Sequence, residues 1–264
     1  MNAATEYRVQ ARNLSHASEN KIHDDDIARR FGFQGGLVPG VEVYAYMTHL
    51  PATLWGVDWL ERGTAECRFF KPVYDGKFVT VSATGSAGAL AVTVESEGKR
   101  CATGAAALPE QPSALPVIPD AAPIPESDAR PDADEATLAT GRRLSSHPLH
   151  VTPDRLQQYL ADISETEPLY AREQIVHPAL MLRLSNSALK DNVKLGPWIH
   201  AASSIRHCGL APAGASLAAH AEVAANYERK GHRFVDLDVV IVADGIRAVA
   251  QVRHTAIYRL RQAE

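Results

Sequence analysis

Cysteine is scarce in this sequence of 264 residues, and no charge is in large excess. Cys67, Cys101 and Cys208 are odd in number, widely separated and never spaced as C-x-x-C. This argues against a disulfide framework or a structural zinc site and predicts reduced, mostly buried thiols. The formal net charge of -4 lacks the basic excess of nucleic-acid-binding proteins, so we expect no nucleic-acid partner.

Long apolar runs are also missing. No stretch approaches the roughly 20 apolar residues that a membrane-spanning helix needs. The N-terminal sequence MNAATEYRVQARN has no apolar core after a basic segment, as a secretory signal would. We therefore expect a cytoplasmic protein with no membrane partner.

A segment near the middle of the chain is rich in Pro, Ala, Asp and Glu and has no apolar periodicity. It covers residues 109–135, PEQPSALPVIPDAAPIPESDARPDADE, and this composition is typical of an extended linker. We predict that it joins two domains, residues 1–108 and 136–264.

The predicted elements follow the same order in both halves. In the first, a strand over 7–11 precedes a short helix in DDDIARRFG, an apolar helix over 40–55 and extended runs, with a hairpin at Glu97-Gly98. In the second, a helix capped by Thr152 and an apolar helix in HPALMLRLSNSALKDNV precede four strands. Because the apolar helix has almost no polar face, each half is predicted to wrap an antiparallel sheet around it, giving an α+β protein.

The two halves also match in sequence. RFFKPVYDG, residues 68–76, aligns without gaps with RHCGLAPAG, residues 206–214. Beyond each glycine the alternation of apolar residues continues a strand, with Val79, Val81 and Ala83 in one half and Leu217, Ala219 and Ala221 in the other. We interpret this as an internal duplication.

The stretches SENKIHDDDIARRFGFQGGLVPG, residues 18–40, and NYERKGHRFVDLD…VRHTAIYRL resemble the MaoC-like, R-specific enoyl-CoA hydratases in their double-hotdog form. The resemblance covers nearly the whole chain apart from the linker. It implies two antiparallel sheets, each around a central apolar helix, forming a pseudo-dimer. It also implies a lyase of fatty acid metabolism that adds or removes water at the α,β bond of an acyl thioester, carried by CoA or a carrier protein. No cofactor or metal is implied.

In that family a catalytic Asp and His lie in the pattern D-x-N-P-[IL]-H-x-D, followed by a His-Gly where the buried helix begins. The residues in register are Asn20, Ile22, His23, Asp25 and Gly40. Three positions depart from the pattern: Ser18 replaces the aspartate, Lys21 the proline and Pro39 the histidine of the His-Gly pair.

The resemblance assigns a role to each matching position. His23 is the catalytic acid/base, while Ser18 and Asn20 hold the water or the imidazole ring. The backbone N–H groups of Gly40 and Val41 face the thioester carbonyl, since the first amides of a helix lack partners within it. The last implied substrate-binding residue is Thr48, two turns beyond Gly40.

Ser18 is the difficulty, because a hydroxyl cannot act as a general base at pH 7 unless it is itself activated. Three alternatives remain open. Glu19 supplies the missing carboxylate, His23 works alone with Ser18 and Asn20 positioning, or the reaction is a different one.

The second half carries a degenerate copy of the pattern. In ETEPLY, residues 165–170, Glu165 matches the acidic position, but Tyr170 stands where the histidine should be. VHP, residues 176–178, keeps His177 and loses the glycine. Because tyrosine does not exchange protons near neutral pH as imidazole does, the first half is predicted to be catalytic and the second to help enclose the acyl chain.

Two rival functions remain. Glu42, in the first turn of the apolar helix, is otherwise a partner of the helix dipole, but it could serve a hotdog acyl-CoA thioesterase. The chain could also be a non-catalytic acyl-thioester-binding module or subunit. Asp24 to Asp26 need no role beyond stabilising a helix start, and a homodimer is left open.

The histidines of the second half do not suggest a metal site. Their spacings match no common ligand set, so we expect these rings to pack or to face solvent. The residues concerned are His177, His200, His207, His232 and His254, together with Arg206.

Overall fold

The computed structural model describes residues 5–261, and its helices form two groups separated by the middle of the chain. In the first half, a 3₁₀ turn at Lys21–His23 precedes α1, Asp25–Arg30, and α2, Gly40–Arg62. The helices of the second half are α3, Pro153–Asp162, α4, Leu169–Glu173, and α5, Pro178–Lys190. None of these helices is long and apolar enough to cross a membrane.

Within residues 5–261 the strands form one antiparallel sheet of eleven strands. Those of the first half are β1 Thr5–Gln10, β2 Thr64–Phe69, β3 Phe78–Ser86, β4 Ala89–Ser96 and β5 Lys99–Ala107. Those of the second are β6 Arg143–Ser145, β7 Leu149–His150, β8 Ile199–His207, β9 Ser216–Arg229, β10 His232–Ala243 and β11 Arg247–Arg259. The order is β1-β3-β4-β5-β2-β8-β11-β10-β9-β6, with β7 also paired to β9. The pairing of β2 with β8 makes the two half-sheets continuous.

Helix α2 is the apolar centre of the first half. Every residue from Val41 to Thr48 is buried, as expected for a helix with no polar face. Its regular geometry breaks at Gly56, which has a φ of 60°, a conformation that glycine adopts without steric cost. The predicted helix end at residue 55 therefore coincides with this break, although a further helical segment continues to Arg62.

Each half repeats the same path around its central helix. A bridge joins Leu37 to Tyr74 in the first half, and Ile175 to Pro212 in the second. The alternating apolar residues of β3 and β9 point inwards, and the β4–β5 hairpin turns at Glu97-Gly98 as predicted. The structure thus has the α+β architecture that the sequence predicts.

The segment from 109 to 135 contains neither a helix nor a strand of the sheet. It is nevertheless held along the second half by hydrogen bonds to its carbonyl groups. Arg206 donates to the oxygen of Ala114 at 2.7 Å, and the amide of Lys194 donates to that of Pro131 at 2.7 Å. The extended segment is therefore tethered to the second half.

Candidate functional site

A 3₁₀ turn places His23 between the two halves. Asn20 caps this turn by accepting from the amide of Ile22. The same side chain forms two hydrogen bonds with the backbone of Trp198 in the second half. It donates to the carbonyl at 3.0 Å and accepts from the amide at 3.2 Å. Asn20 therefore fixes the turn against the other half.

The hydrogen bonds of His23 define the state of its ring. Its Nδ1 lies 2.7 Å from the carbonyl oxygen of Leu37, which can only accept, so Nδ1 carries the proton. Nε2 is then unprotonated and lies 3.3 Å from the amide nitrogen of Asn20. Burial lowers the pKa of His23 to about 4; nearby Arg183 also lowers it, and the bond to Leu37 opposes the shift. At neutral pH the ring is an uncharged base.

The acidic residues beside His23 organise the loop that follows it. Asp24 caps α1 by accepting from the amides of Asp26 and Ile27. Asp25 accepts from the amide of Gly36 at 2.7 Å, and a Cβ at Gly36 would lie 2.2 Å from the carbonyl oxygen of His23. These aspartates thus hold the backbone and do not face the imidazole.

Two adjoining cavities meet at His23. The first, of about 380 Å³, is mainly apolar, with Phe33, Val43 and Phe69 in its wall. The second, of about 300 Å³, has a larger share of polar and charged residues in its wall, among them Arg183 and Lys190. The residues that line both are Asn20, His23, Pro39, Asn186 and Trp198. We call these the apolar cavity and the polar cavity.

Helix α2 begins at this junction. Pro39 is its N-cap and has no side-chain hydrogen bond to the first turn. Gly40 lines the apolar cavity and Val41 the polar one, and His23 lines both. Packing explains why residue 40 is a glycine. The site of a Cβ is occupied by the rings of His200, 2.9 Å away, and Phe69, 3.1 Å away.

Ser18 lines the polar cavity with His23, but its hydroxyl donates to the carbonyl of Asn20 at 3.2 Å. Glu19, the proposed substitute carboxylate, also lines the polar cavity but is paired with Arg130. Its side chain is 70% exposed and lies 3.1 Å from Arg130. Among residues 5–261, no carboxylate makes a hydrogen bond to the imidazole of His23.

Thr48 is not in the wall of either cavity. Eight residues after Gly40, it lies two turns deeper along α2 and on a different face of the helix. Its hydroxyl donates to the carbonyl of Ala45 and lies 3.4 Å from Nε2 of His177. The predicted substrate contact of Thr48 is therefore corrected to a packing role against the second half.

Glu42 is fully buried and lines neither cavity. Its carboxylate forms an ion pair with Arg183 of α5, which joins the central helices of the two halves. Burial lowers the pKa of Arg183 to about 10. The pair therefore occupies the carboxylate that the thioesterase alternative requires.

The degenerate motif of the second half is packed into the core. Nδ1 of His177 accepts from the amide of Ala179 and caps α5, so Nε2 carries the proton. Burial raises the pKa of Glu165, but hydrogen bonds from His177 and His49 outweigh it and lower that pKa to about 2. Tyr170 packs on the ring of His177, and none of these residues lines either cavity.

Neither the cysteines nor the histidine cluster forms a metal site in the described residues. No group of three or more His, Cys, Asp or Glu side chains there is arranged around a common centre. Cys67, Cys101 and Cys208 are free, the first two being buried. His207 packs edge-on against Trp59.

The sequence predicted that the second half helps to enclose the acyl chain but did not identify which of its residues line the site. Trp198, Asn186 and Arg183 line the cavities from α5 and the approach to β8. Nothing in the first-half motif predicts them, because Trp198 lies 178 residues from Asn20, its hydrogen-bonding partner. The match between the two halves was the available signal for these residues, since it predicts that the halves pack as a pseudo-dimer beside each motif.

Comparisons with known proteins identify the fold. No family model and no curated protein matches the chain. A MaoC domain protein from Chloroflexus aurantiacus, described as a dehydratase, is 12% identical over 98% of this chain and 96% of its own, with a TM-score of 0.65. The double-hotdog protein Rv0216 of Mycobacterium tuberculosis is 15% identical over 97% and 96%, with a TM-score of 0.65.

The same architecture occurs in a Thermobifida fusca protein assigned to the thioesterases. It is 18% identical over 85% of this chain and 88% of its own, with a TM-score of 0.50. Identities this low establish a fold and leave the activity open. The chain is a double-hotdog protein that resembles the MaoC-like dehydratases in fold.

Proposed function

We propose that this protein is a hydratase or dehydratase acting at the α,β bond of an acyl thioester. One observation carries the proposal: an uncharged, unprotonated imidazole nitrogen lies at the junction of two cavities, beside the start of a buried helix. A thioester has an acyl tail on one side of its reactive carbons and a carrier arm on the other. The two cavities match this arrangement.

His23 performs both proton transfers in this proposal. During hydration, Nε2 takes one proton from water as the oxygen bonds to Cβ, and the C=C electrons move to the thioester carbonyl to form an enolate. The imidazolium then returns that proton to Cα. Because burial lowers the pKa of His23 to about 4, its imidazolium is a strong acid, which favours the second step. Dehydration reverses the sequence.

The backbone amides of Gly40 and Val41 receive the enolate oxygen. The first N–H groups of an α-helix have no intrahelical acceptor, and the helix dipole favours negative charge there. Donors that are already oriented towards developing charge stabilise a transition state strongly. Pro39 suits this role as N-cap because it brings no side-chain oxygen to compete for those amides.

Ser18 and Asn20 act by positioning. Asn20 fixes the turn to Trp198 and lies beside Nε2, while Ser18 fixes the carbonyl of Asn20. Loss of one general acid/base typically costs about 10² to 10⁴ in rate. We therefore expect a slower enzyme than one with the full Asp–His pair.

His23→Asn tests the assignment without removing the contact to the loop. An asparagine amide can still donate to the Leu37 carbonyl, but nothing replaces Nε2. We expect kcat/KM for hydration of crotonyl-CoA and longer enoyl-CoAs to fall at least about 100-fold, with the far-UV circular dichroism unchanged. His16→Asn, at an exposed neighbouring histidine, is the control and should retain activity. Unchanged turnover in His23→Asn would refute the proposal.

A non-catalytic acyl-thioester-binding role is the second candidate. It is favoured by the lack of a carboxylate hydrogen-bonded to His23 in the described residues. Binding of acyl-CoA by the wild-type protein, with neither hydration nor thiol release, would select this role over both enzymes. Thiol release that depends on Glu42 would instead select the thioesterase.

A further inference from the structure

A second imidazole lies in the wall of the apolar cavity. His200, in β8, is only 6% exposed and contacts the same helix start as the proposed substrate. Its Nδ1 is 2.9 Å from the point where a Cβ of Gly40 would stand, and this nitrogen has no hydrogen-bond partner. An unpartnered polar atom this deeply buried requires an explanation.

The other nitrogen of His200 starts a hydrogen-bonded chain. Nε2 lies 2.8 Å from Oγ of Ser203, and the same Oγ lies 3.0 Å from Nδ1 of His254 on β11. His254 is fully buried, and its Nε2 has no partner. The two rings are 4.5 Å apart.

A β-bulge in β8 brings His200 and Ser203 together in this hydrogen-bonded series. Residues three apart on a regular strand face opposite sides of the sheet. Against β11, however, Ala202 pairs with Thr255 and His200 with Ala256, which leaves Ala201 without a partner. The extra residue turns His200 and Ser203 to the same inner face, and such bulges are over-represented beside active sites.

Ser203 has one hydroxyl proton and can donate it to only one of the two histidines, which gives two possible arrangements of the protons. If Ser203 donates to His254, then Nε2 of His254 carries a proton that has no acceptor in the core. If Ser203 donates to Nε2 of His200, then Nδ1 of His254 donates to Ser203 and Nε2 of His254 is unprotonated. The proton of His200 is then on Nδ1. Each arrangement leaves one imidazole N–H without an acceptor, but only in the second does that N–H belong to a ring in the cavity wall, where a bound ligand can accept from it. The second arrangement is therefore favoured.

We propose that His200 donates an Nδ1–H hydrogen bond to the carbonyl oxygen of a bound acyl thioester, beside the first amides of α2. Ser203 and His254 are positioning residues that fix this tautomer of His200. The identity of the ligand rests on the proposed function, whereas the tautomer does not. Burial lowers the pKa of both His200 and His254, so the donor is a neutral imidazole.

The tautomer can be measured on the free protein. Two-dimensional ¹H–¹⁵N spectra of the histidine rings distinguish Nδ1–H from Nε2–H, and His200→Asn and His254→Asn assign the two rings. We expect Nδ1–H on both at pH 7, and loss of the single tautomer of His200 in Ser203→Ala. An Nε2–H ring at His200 in the wild-type protein overturns the inference whatever the activity.

Ligand binding tests the contact itself. Butyryl-, octanoyl- and dodecanoyl-CoA are compared with the matching S-alkyl-CoA thioethers, which lack only the carbonyl oxygen. We expect the preference for thioester over thioether to fall about threefold to tenfold in His200→Leu and to persist in His200→Asn, whose amide replaces the Nδ1 donor. His207→Leu is the matched control, because it removes a buried imidazole of the same strand that lines neither cavity.

The outcomes separate the two proposals. An unchanged thioester preference in His200→Leu overturns the role of His200 and leaves the hydratase proposal standing if enoyl-CoA is still turned over. Failure of the wild-type protein to bind or convert any of these CoA ligands overturns the proposed function, and the contact of His200 with it. Where hydration is measurable, His200→Leu should lower kcat about 100-fold, and His200→Asn should restore most of it.

Discussion

His23 has its two ring nitrogens in different surroundings. The carbonyl of Leu37 accepts a hydrogen bond from Nδ1 and thereby leaves Nε2 as the basic nitrogen of a ring that lines both cavities. This tautomer was not predictable from the sequence, because Leu37 belongs to the loop that leads into α2. The position of the histidine was predictable, since Asn20, Ile22 and Gly40 keep the family spacing.

The pH dependence of activity tests the burial of this ring. An exposed imidazole titrates near pH 6.5, so its base form would be lost between pH 7.5 and 5.5. Because burial lowers the pKa of His23 to about 4, we expect kcat/KM to be nearly constant over that range. Steady-state kinetics at intervals of half a pH unit measure this dependence of kcat/KM on pH. A descending limb with an apparent pKa near 6.5 would show that His23 is solvated or is not the base.

At the scale of elements, the contact between α2 and α5 joins the halves through Glu42 and Arg183. The sequence placed Glu42 in the first turn of α2 but could not reveal a partner 141 residues away. Nor could it predict the bulge at Ala201, since periodicity describes regular strands only. The apolar helices themselves were predictable, because burial on all sides requires apolar residues throughout.

Arg183→Leu measures what this contact contributes. The substitution leaves the carboxylate of Glu42 buried without its counter-ion, and breaking a buried pair in this way typically costs about 3 to 5 kcal/mol. We expect the free energy of unfolding in urea to fall by roughly that amount, and the double variant Glu42→Leu/Arg183→Leu to recover much of it. A single variant as stable as wild type would show that the carboxylate is solvated.

Glu42→Gln separates this structural role from catalysis. The amide keeps the size of the side chain and an oxygen that Arg183 can reach. We expect hydration of enoyl-CoA to change less than about threefold, because Glu42 lines neither cavity. Loss of a thiol-releasing activity in this variant would favour the thioesterase alternative.

For the whole molecule, the duplication explains both the success and the limit of the sequence analysis. Repeated elements predicted two wrapped helices in an α+β protein, and the resemblance to the MaoC-like hydratases implied the double hotdog. The site, however, forms where the halves meet, and contacts such as Asn20 with Trp198 depend on how they pack. The corresponding residues of the second half have other roles: His177 caps a helix and pairs with Glu165, while Tyr170 stands at the histidine position.

The buried histidines make stability depend on pH. Burial lowers the pKa of His207 to about 4 and that of His254 to about 3. The unfolded chain binds protons at these rings near pH 6.5, and the folded protein does not, so stability is full above that pH and falls as the pH drops towards 4.

Each such imidazole contributes about 1.4 kcal/mol per pH unit within that window. We expect the free energy of unfolding in urea to be lower at pH 5.5 than at pH 7.0 by at least about 2 kcal/mol. His207→Leu should reduce this difference by about 1 kcal/mol. Equal stability at the two pH values would contradict the neutral burial of these rings.

In the proposed mechanism His23 lies at Cα and Cβ of the acyl thioester, and the first amides of α2 lie at its carbonyl oxygen. The most direct test is a crystal structure of His23→Asn with a bound enoyl-CoA. We expect the side chain of residue 23 to lie within about 4 Å of Cα and Cβ of the acyl group. We also expect the thioester oxygen to lie within hydrogen-bonding distance of the Gly40 or Val41 amide. A ligand whose double bond lies away from residue 23, or a carbonyl that faces no amide of α2, would contradict it.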